Sequence, residues 1–144
     1  MTSDAERDRL LALIAAVGVA YWQTLGITVE SAEVGVVHLR LPMSPALGTR
    51  RPEVMHGGAI ASLIDAAAGA STATLRREDD ATWTGQATLD LNATFLAAAT
   101  SDVIAEGTVL RSSRALSFVS VDVRDEEGTL VATGRATYTI IRKR

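Results

Sequence analysis

One stretch limits what this chain can become. From Met55 to Arg77 (MHGGAIASLIDAAAGASTATLRR) runs an alanine-rich apolar segment that opens on His56, Gly57 and Gly58 and carries one acid, Asp65, in its middle. Between Ala59 and Ala70, Asp65 is the only residue that can ionise. A position chosen for burial alone would take Leu, Ala or Met, because an unpaired carboxylate in apolar surroundings is costly or is driven to hold a proton. The segment is expected to be a long helix enclosed by the rest of the chain. Asp65 then serves chemistry, or bonds a neighbouring strand or a partner helix.

The remainder has the material to enclose it. At 144 residues and 47% hydrophobic the chain fits one domain, residues 1–144, with a real core. With aromatics at only 4%, that core must rely on aliphatic side chains and on close approach of small residues. Ser3 and Glu6 have the spacing of a helix capping box, and Leu10, Leu13, Ile14 and Val17 then share one helical face, with Gly18 as the stop. This start is not that of a secretory leader, since Asp4, Glu6 and Asp8 offset Arg7 and Arg9. Asp65 interrupts the only other candidate for a membrane span, so no membrane association is expected. A net charge of -3 gives no broad attraction to nucleic acid or to anionic lipid. Absence of cysteine excludes disulfides, a cysteine nucleophile and thiolate metal sites, and agrees with a cytoplasmic location.

From Ile27 onward the period changes to two. A strand over Ile27 to Ala32 is followed by a turn at Glu33-Val34-Gly35 and a second strand in which Val37, Leu39 and Leu41 take one face and His38 and Arg40 the other. Pro42 to Glu53, with Pro45, Gly48 and Pro52, is a loop that brings Arg50 and Arg51 to the helix start. Beyond the polar exit Arg76 to Asp80 come four strand-like runs. In the first, Thr84 to Leu96, Ala87, Leu89, Leu91, Ala93 and Phe95 oppose Gln86, Thr88, Asp90, Asn92 and Thr94. Val103 to Leu110, Leu116 to Val123 and Leu130 to Ile141 follow, the last two joined by Asp125-Glu126-Glu127-Gly128. Short links make an antiparallel meander the natural expectation. The fold class is therefore α+β: a curved antiparallel sheet of about six strands wrapped around one long central helix, plus a short N-terminal helix.

HGG followed by A-I-A-S-L-I-D resembles the helix signature of hotdog-fold acyl-CoA thioesterases of the phenylacetate-degradation (PaaI-like) type. T-L-D-L-N-A-T-F-L, R-S-S-R and V-D-V-R-D-E-E-G-T-L-V-A-T-G-R-A-T-Y are similar to that family's strands in order and spacing. The resemblance covers nearly the whole chain and implies two equivalent sites at a homodimer interface, often in a dimer of dimers, acting on acyl-CoA. It also suggests that Arg111, Ser112 and Arg114 contact the nucleotide or pantetheine of coenzyme A, where the residues alone read equally as a polar turn. Family members commonly carry Asn or Gln six or seven residues before the glycine pair. Here position 50 is Arg, which cannot accept a hydrogen bond.

Spacing leads to the same arrangement independently. Amides at a helix start lack internal partners and carry the positive end of the dipole, and Gly57 and Gly58 leave them unobstructed for an anionic oxygen. Asp65 lies eight residues beyond Gly57, about 12 Å along the axis, too far to act on the same atom. A shared site needs Gly57 of one chain and Asp65 of another across a two-fold axis. The chemistry expected is thioester hydrolysis, with the Gly57 N–H as oxyanion donor and Asp65 as general base or as a nucleophile forming a mixed anhydride. His56 either touches substrate or fixes the loop through its ring. No metal or cofactor is expected, since only His38 and His56 offer imidazoles. Gly69 to Ala73 is not a nucleophile elbow, and Ala70 stands where a hotdog hydratase would place His after Asp65. The rival reading is a non-catalytic acyl-CoA or acyl-carrier binding module on the same scaffold.

Overall fold

The structure is a computed structural model and describes residues 2–18 and 20–144. Its centre is helix α3, Gly57–Ala73, whose Ile60, Leu63, Ile64 and all alanines but Ala61 are buried. The helix is shorter than the Met55 to Arg77 run because the backbone enters it only after His56 and leaves at Thr74. Before it come α1 (Asp4–Val17), α2 (Ala20–Leu25), β1 (Thr28–Glu33) and β2 (Val36–Leu41); after it come β3 (Trp83–Phe95), β4 (Val103–Ser112), β5 (Leu116–Asp125) and β6 (Leu130–Arg142). The Ser3 hydroxyl accepts from the Glu6 N–H, as the capping spacing requires, and Leu10 and Ile14 pack α1 against α3. The six-residue α2 was not anticipated; it is too short to show a period. Among the described residues no helix is long and apolar enough to cross a membrane.

All six strands form one antiparallel sheet in the order β1-β2-β4-β5-β6-β3. Val37, Leu39 and Leu41 of β2, Val119, Val121 and Val123 of β5, and Ala132, Ala136, Tyr138 and Ile140 of β6 face the helix. Small residues set the closeness of this packing. A Cβ on Gly107 of β4 would come within 2.7 Å of the Ala67 carbonyl, and one on Gly134 of β6 within 3.1 Å of Ile64.

Two expectations about the strands are corrected. The sheet is not a simple meander: β3 pairs with β6 at the far edge, and β4 lies beside β2. The seven-residue link Leu96–Asp102 spans up to about 23 Å of extended chain, enough to cross the three strand spacings of about 14 Å that separate β3 from β4. Link length alone did not dictate the neighbour. Nor does β3 keep one parity. Thr88 pairs with Tyr138 but Asp90 pairs with Thr137, so Leu89 is an extra residue, a β-bulge. Before the bulge Gln86 and Thr88 reach the helix; after it Leu91, Ala93 and Phe95 take the inward registers. As the outermost strand β3 leaves Leu89, Leu91 and Phe95 exposed.

Candidate active site

Asp65 sits midway along α3 on the side that faces the β3 edge, half-buried. Two hydroxyls converge on one of its oxygens. Tyr138 of β6 donates to Oδ1 at 2.6 Å and approaches the Asp65 backbone carbonyl at 2.9 Å, while Thr88 of β3 donates to the same Oδ1 at 2.8 Å. Oδ2 has no partner among the described residues. The carboxylate is thus held by one oxygen with the other left open, the posture of a base or nucleophile. Burial first, and the bond to Asp65 second, push the Tyr138 phenol above its ordinary range, so it remains a donor at neutral pH. The ring passes over Gly69, where an added Cβ would stand 2.9 Å from the phenol oxygen, so the helix needs glycine one turn beyond its acid.

The other end of the chemistry lies at the helix start. His56 is the N-cap: its backbone is extended (φ -64°, ψ 137°) and its Nδ1 accepts the Gly58 N–H at 2.8 Å. That bond makes Nδ1 the acceptor nitrogen and leaves the ring proton on Nε2. The His56 carbonyl takes the Ala59 and Ile60 amides. The Gly57 N–H alone in this first turn has no acceptor among the described residues. Gly58 is spent on the cap, so Gly57 is the amide left to meet an anion. Phe95 stands beside it, 3.3 Å from where a Gly57 Cβ would be. Arg50, Arg51 and His56 border an open cavity of about 480 Å³ at this end, which suits an anionic group.

Within one chain the sequence-derived residues therefore form separate groups. Arg50, His56, Gly57 and Gly58 cluster at the start of α3, with Asp65 eight residues further along. Arg111, Ser112 and Arg114 are exposed at the opposite end, where β4 turns into β5 and Thr72 of the helix meets Ser117. The Arg114 carbonyl accepts from Arg142. Thr88, Tyr138 and Gln86 were missed as site residues, because a uniform alternation of β3 put the two polar ones on the outer face and made Tyr138 simple core. His38, expected as a surface strand residue, lies on the outer face between Ser31 and Glu106, on the side of the sheet away from Asp65. Among the described residues no three His, Asp or Glu side chains are grouped as a metal ion would need.

Residues 53–132, from the loop before α3 into β6, match the family model described as thioesterase superfamily. The chain belongs to the thioesterase superfamily. It is 36% identical over 126 residues, 82% of each chain, to the protein named "Putative esterase VNG_1336C" of Halobacterium salinarum. Among solved structures it superposes on the conserved protein PA5202 of Pseudomonas aeruginosa with a TM-score of 0.78 at 30% identity, covering 88% of this chain and 98% of that one. The PaaI protein of the phenylacetic acid degradation operon of E. coli gives a TM-score of 0.81 over 94% of this chain and 95% of that one; at 16% identity that likeness speaks for the fold. The fold is thus the hotdog fold that the helix signature and strand order suggested, and this thioesterase-superfamily chain is a thioester hydrolase. The matched segment contains Gly57, Asp65 and Thr88, whereas Tyr138 lies beyond it.

Proposed function

We propose that the chain, one hotdog domain over residues 1–144, is a cytoplasmic homodimer that hydrolyses acyl-CoA or aryl-acyl-CoA to the free acid and coenzyme A. Each of two sites joins Asp65 of one subunit to the Gly57 amide of the other. The carbonyl oxygen of the thioester is held by the Gly57 N–H and the positive end of α3. Asp65 Oδ2 either takes a proton from water as it adds to the carbonyl carbon, or itself adds to form an anhydride that water then opens. In both routes the tetrahedral intermediate collapses by breaking the C–S bond, and the thiolate leaves. One donor of this kind is worth about 3 to 4 kcal/mol in hydrolases. Arg50, His56 and Gly58 at one subunit's helix start, with Arg111, Ser112 and Arg114 at the far end of the other's, are the groups that would hold coenzyme A when the two helices run head to tail.

The observation that carries this reading is the pairing of a free oxygen on a tethered Asp65 with a free amide on Gly57, too far apart along one helix to share a substrate. The exposed Leu89, Leu91 and Phe95 on the unpaired edge of β3 support a second copy as the neighbour that completes the site. Thiol release from an acyl-CoA panel by the wild-type protein and by Asp65→Ala tests it. Turnover abolished in the variant is the expected result. Equal turnover in both refutes the assignment of Asp65, and binding without turnover in both makes the chain the non-catalytic module, a reading that the arginine at position 50 favours.

A further inference from the structure

The outer face of the sheet, away from Asp65, carries a second set of groups that can act on one another. Ser31 of β1, His38 of β2 and Glu106 of β4 stand in register across neighbouring strands. The His38 Nε2 lies 2.7 Å from a Glu106 carboxylate oxygen, and its Nδ1 lies 3.0 Å from the Ser31 hydroxyl. An ionised carboxylate can only accept, so the ring keeps a proton on Nε2 and the Nδ1 lone pair is left to accept from the Ser31 O–H. A hydroxyl bonded to a base that a third group orients is an activated nucleophile in outline. The ring nitrogens have exchanged the roles they hold in serine proteases, but the order of groups is the same.

Acyl transfer also needs a donor for the oxyanion. Val34 and Gly35 form the turn that joins Glu33 to its partner Val36, so the backbone groups of Glu33 and Ser31 face β2. The Gly35 carbonyl, which accepts from Val109 of β4, fixes the same alternation from the other side. Ala32, between Ser31 and Glu33, therefore turns its N–H to the open edge, where no strand covers β1. In some hydrolases the amide that follows the nucleophile is an oxyanion donor, and the Ala32 N–H holds that place after Ser31. Ser31 is exposed, and with Ala32 it lines a cavity of about 370 Å³ between β1 and α1, where Leu11 and Val29 offer apolar wall.

We infer that Ser31, His38 and Glu106 form a second nucleophilic site, separate from Asp65, that takes small carboxylic esters. The Ser31 oxygen adds to the ester carbonyl while His38 Nδ1 takes its proton, and the Ala32 N–H receives the oxyanion. The bond to the alcohol oxygen then breaks, the alcohol leaves with the proton from Nδ1, and Ser31 is left acylated. Water gives a proton to the same nitrogen as it adds to the acyl carbon, and the acid departs as Ser31 regains that proton.

The test uses Asp65→Ala protein, so that the first site contributes nothing, alone and combined with Ser31→Ala or His38→Gln. Release of p-nitrophenol from p-nitrophenyl acetate is followed, and a fluorophosphonate probe is located by peptide mass spectrometry. The Asp65→Ala protein is expected to turn over the ester and to carry the probe on Ser31. Adding Ser31→Ala removes the label and lowers turnover by roughly 100-fold or more, and adding His38→Gln slows both labelling and turnover by about 100-fold. Turnover unchanged by Ser31→Ala, or labelling unchanged by His38→Gln, overturns the inference. A probe found on another residue, or on none, in the wild-type protein overturns it without recourse to any variant.

Discussion

Tyr138→Phe isolates what the tether on Asp65 contributes. The variant keeps the ring that fills the space over Gly69 and removes the hydroxyl that donates to Oδ1 at 2.6 Å. No acceptor is orphaned, because Thr88 still donates to Oδ1. Loss of stability should therefore be that of one buried bond, about 1.5 kcal/mol, which for a chain of this size lowers Tm by about 5 °C. Catalysis responds through orientation. With one donor fewer the carboxylate is free to turn, and a hydrogen bond to a charged group is worth roughly 1.5 to 3 kcal/mol, or about 10- to 150-fold in rate if spent wholly on orientation. Misplacement by about 1 Å alone costs about a hundredfold. The expected result is a kcat lower by about 10- to 100-fold with KM within about threefold, measured by thiol release over a substrate range. An unchanged kcat alongside the lowered Tm would show that Tyr138 merely packs. A rise in KM that accounts for the whole loss would place it in binding.

Gly57→Pro removes the free amide at a helix position that tolerates proline, and the extended His56 before it is the conformation a following proline requires. Here kcat should fall by roughly 100- to 1,000-fold while the helix content by circular dichroism is retained. Co-refolding Gly57→Pro with Asp65→Ala should restore activity that neither has alone, since each mixed dimer holds one intact pair; no recovery would deny that the site is shared. Gly107→Ala forces a methyl against the Ala67 carbonyl and the Ser71 hydroxyl, and should cost roughly 1 to 3 kcal/mol in denaturant unfolding. Asp80 accepts from Thr82 and is paired with Arg142 at 2.6 Å, and these partners hold its carboxyl below the usual range. Its stabilisation is present above the ordinary carboxylate pKa and is lost as pH falls below it, so the acid decline of Tm should be shallower in Asp80→Ala.

Much of this was readable from residue order because local signals do not depend on neighbours in space. Ser3 and Glu6 mark the start of α1, and Val37, Leu39 and Leu41, like Ala132, Ala136, Tyr138 and Ile140, keep one parity along their strands and so declare their inner face. His56, Gly57 and Asp65 were visible because a cap, a bare amide and a lone acid are each odd where they stand. What was hidden depended on pairing across the sheet. The extra residue Leu89 has no composition of its own to announce it, and the return of β3 to the far edge is a fact about which strand β6 meets. Both hid Thr88, Gln86 and the part played by Tyr138.

The bulge at Leu89 also has an evolutionary bearing. Because it is one residue long, deleting it would turn Gln86 and Thr88 outward and bring Ala87 inward, so the acid would lose a support and the Gly69 carbonyl its side-chain donor without any other change in the chain. A single codon gained or lost in that strand can therefore exchange a polar lining for a greasy one, giving descent an inexpensive route between scaffolds that cleave and scaffolds that only hold.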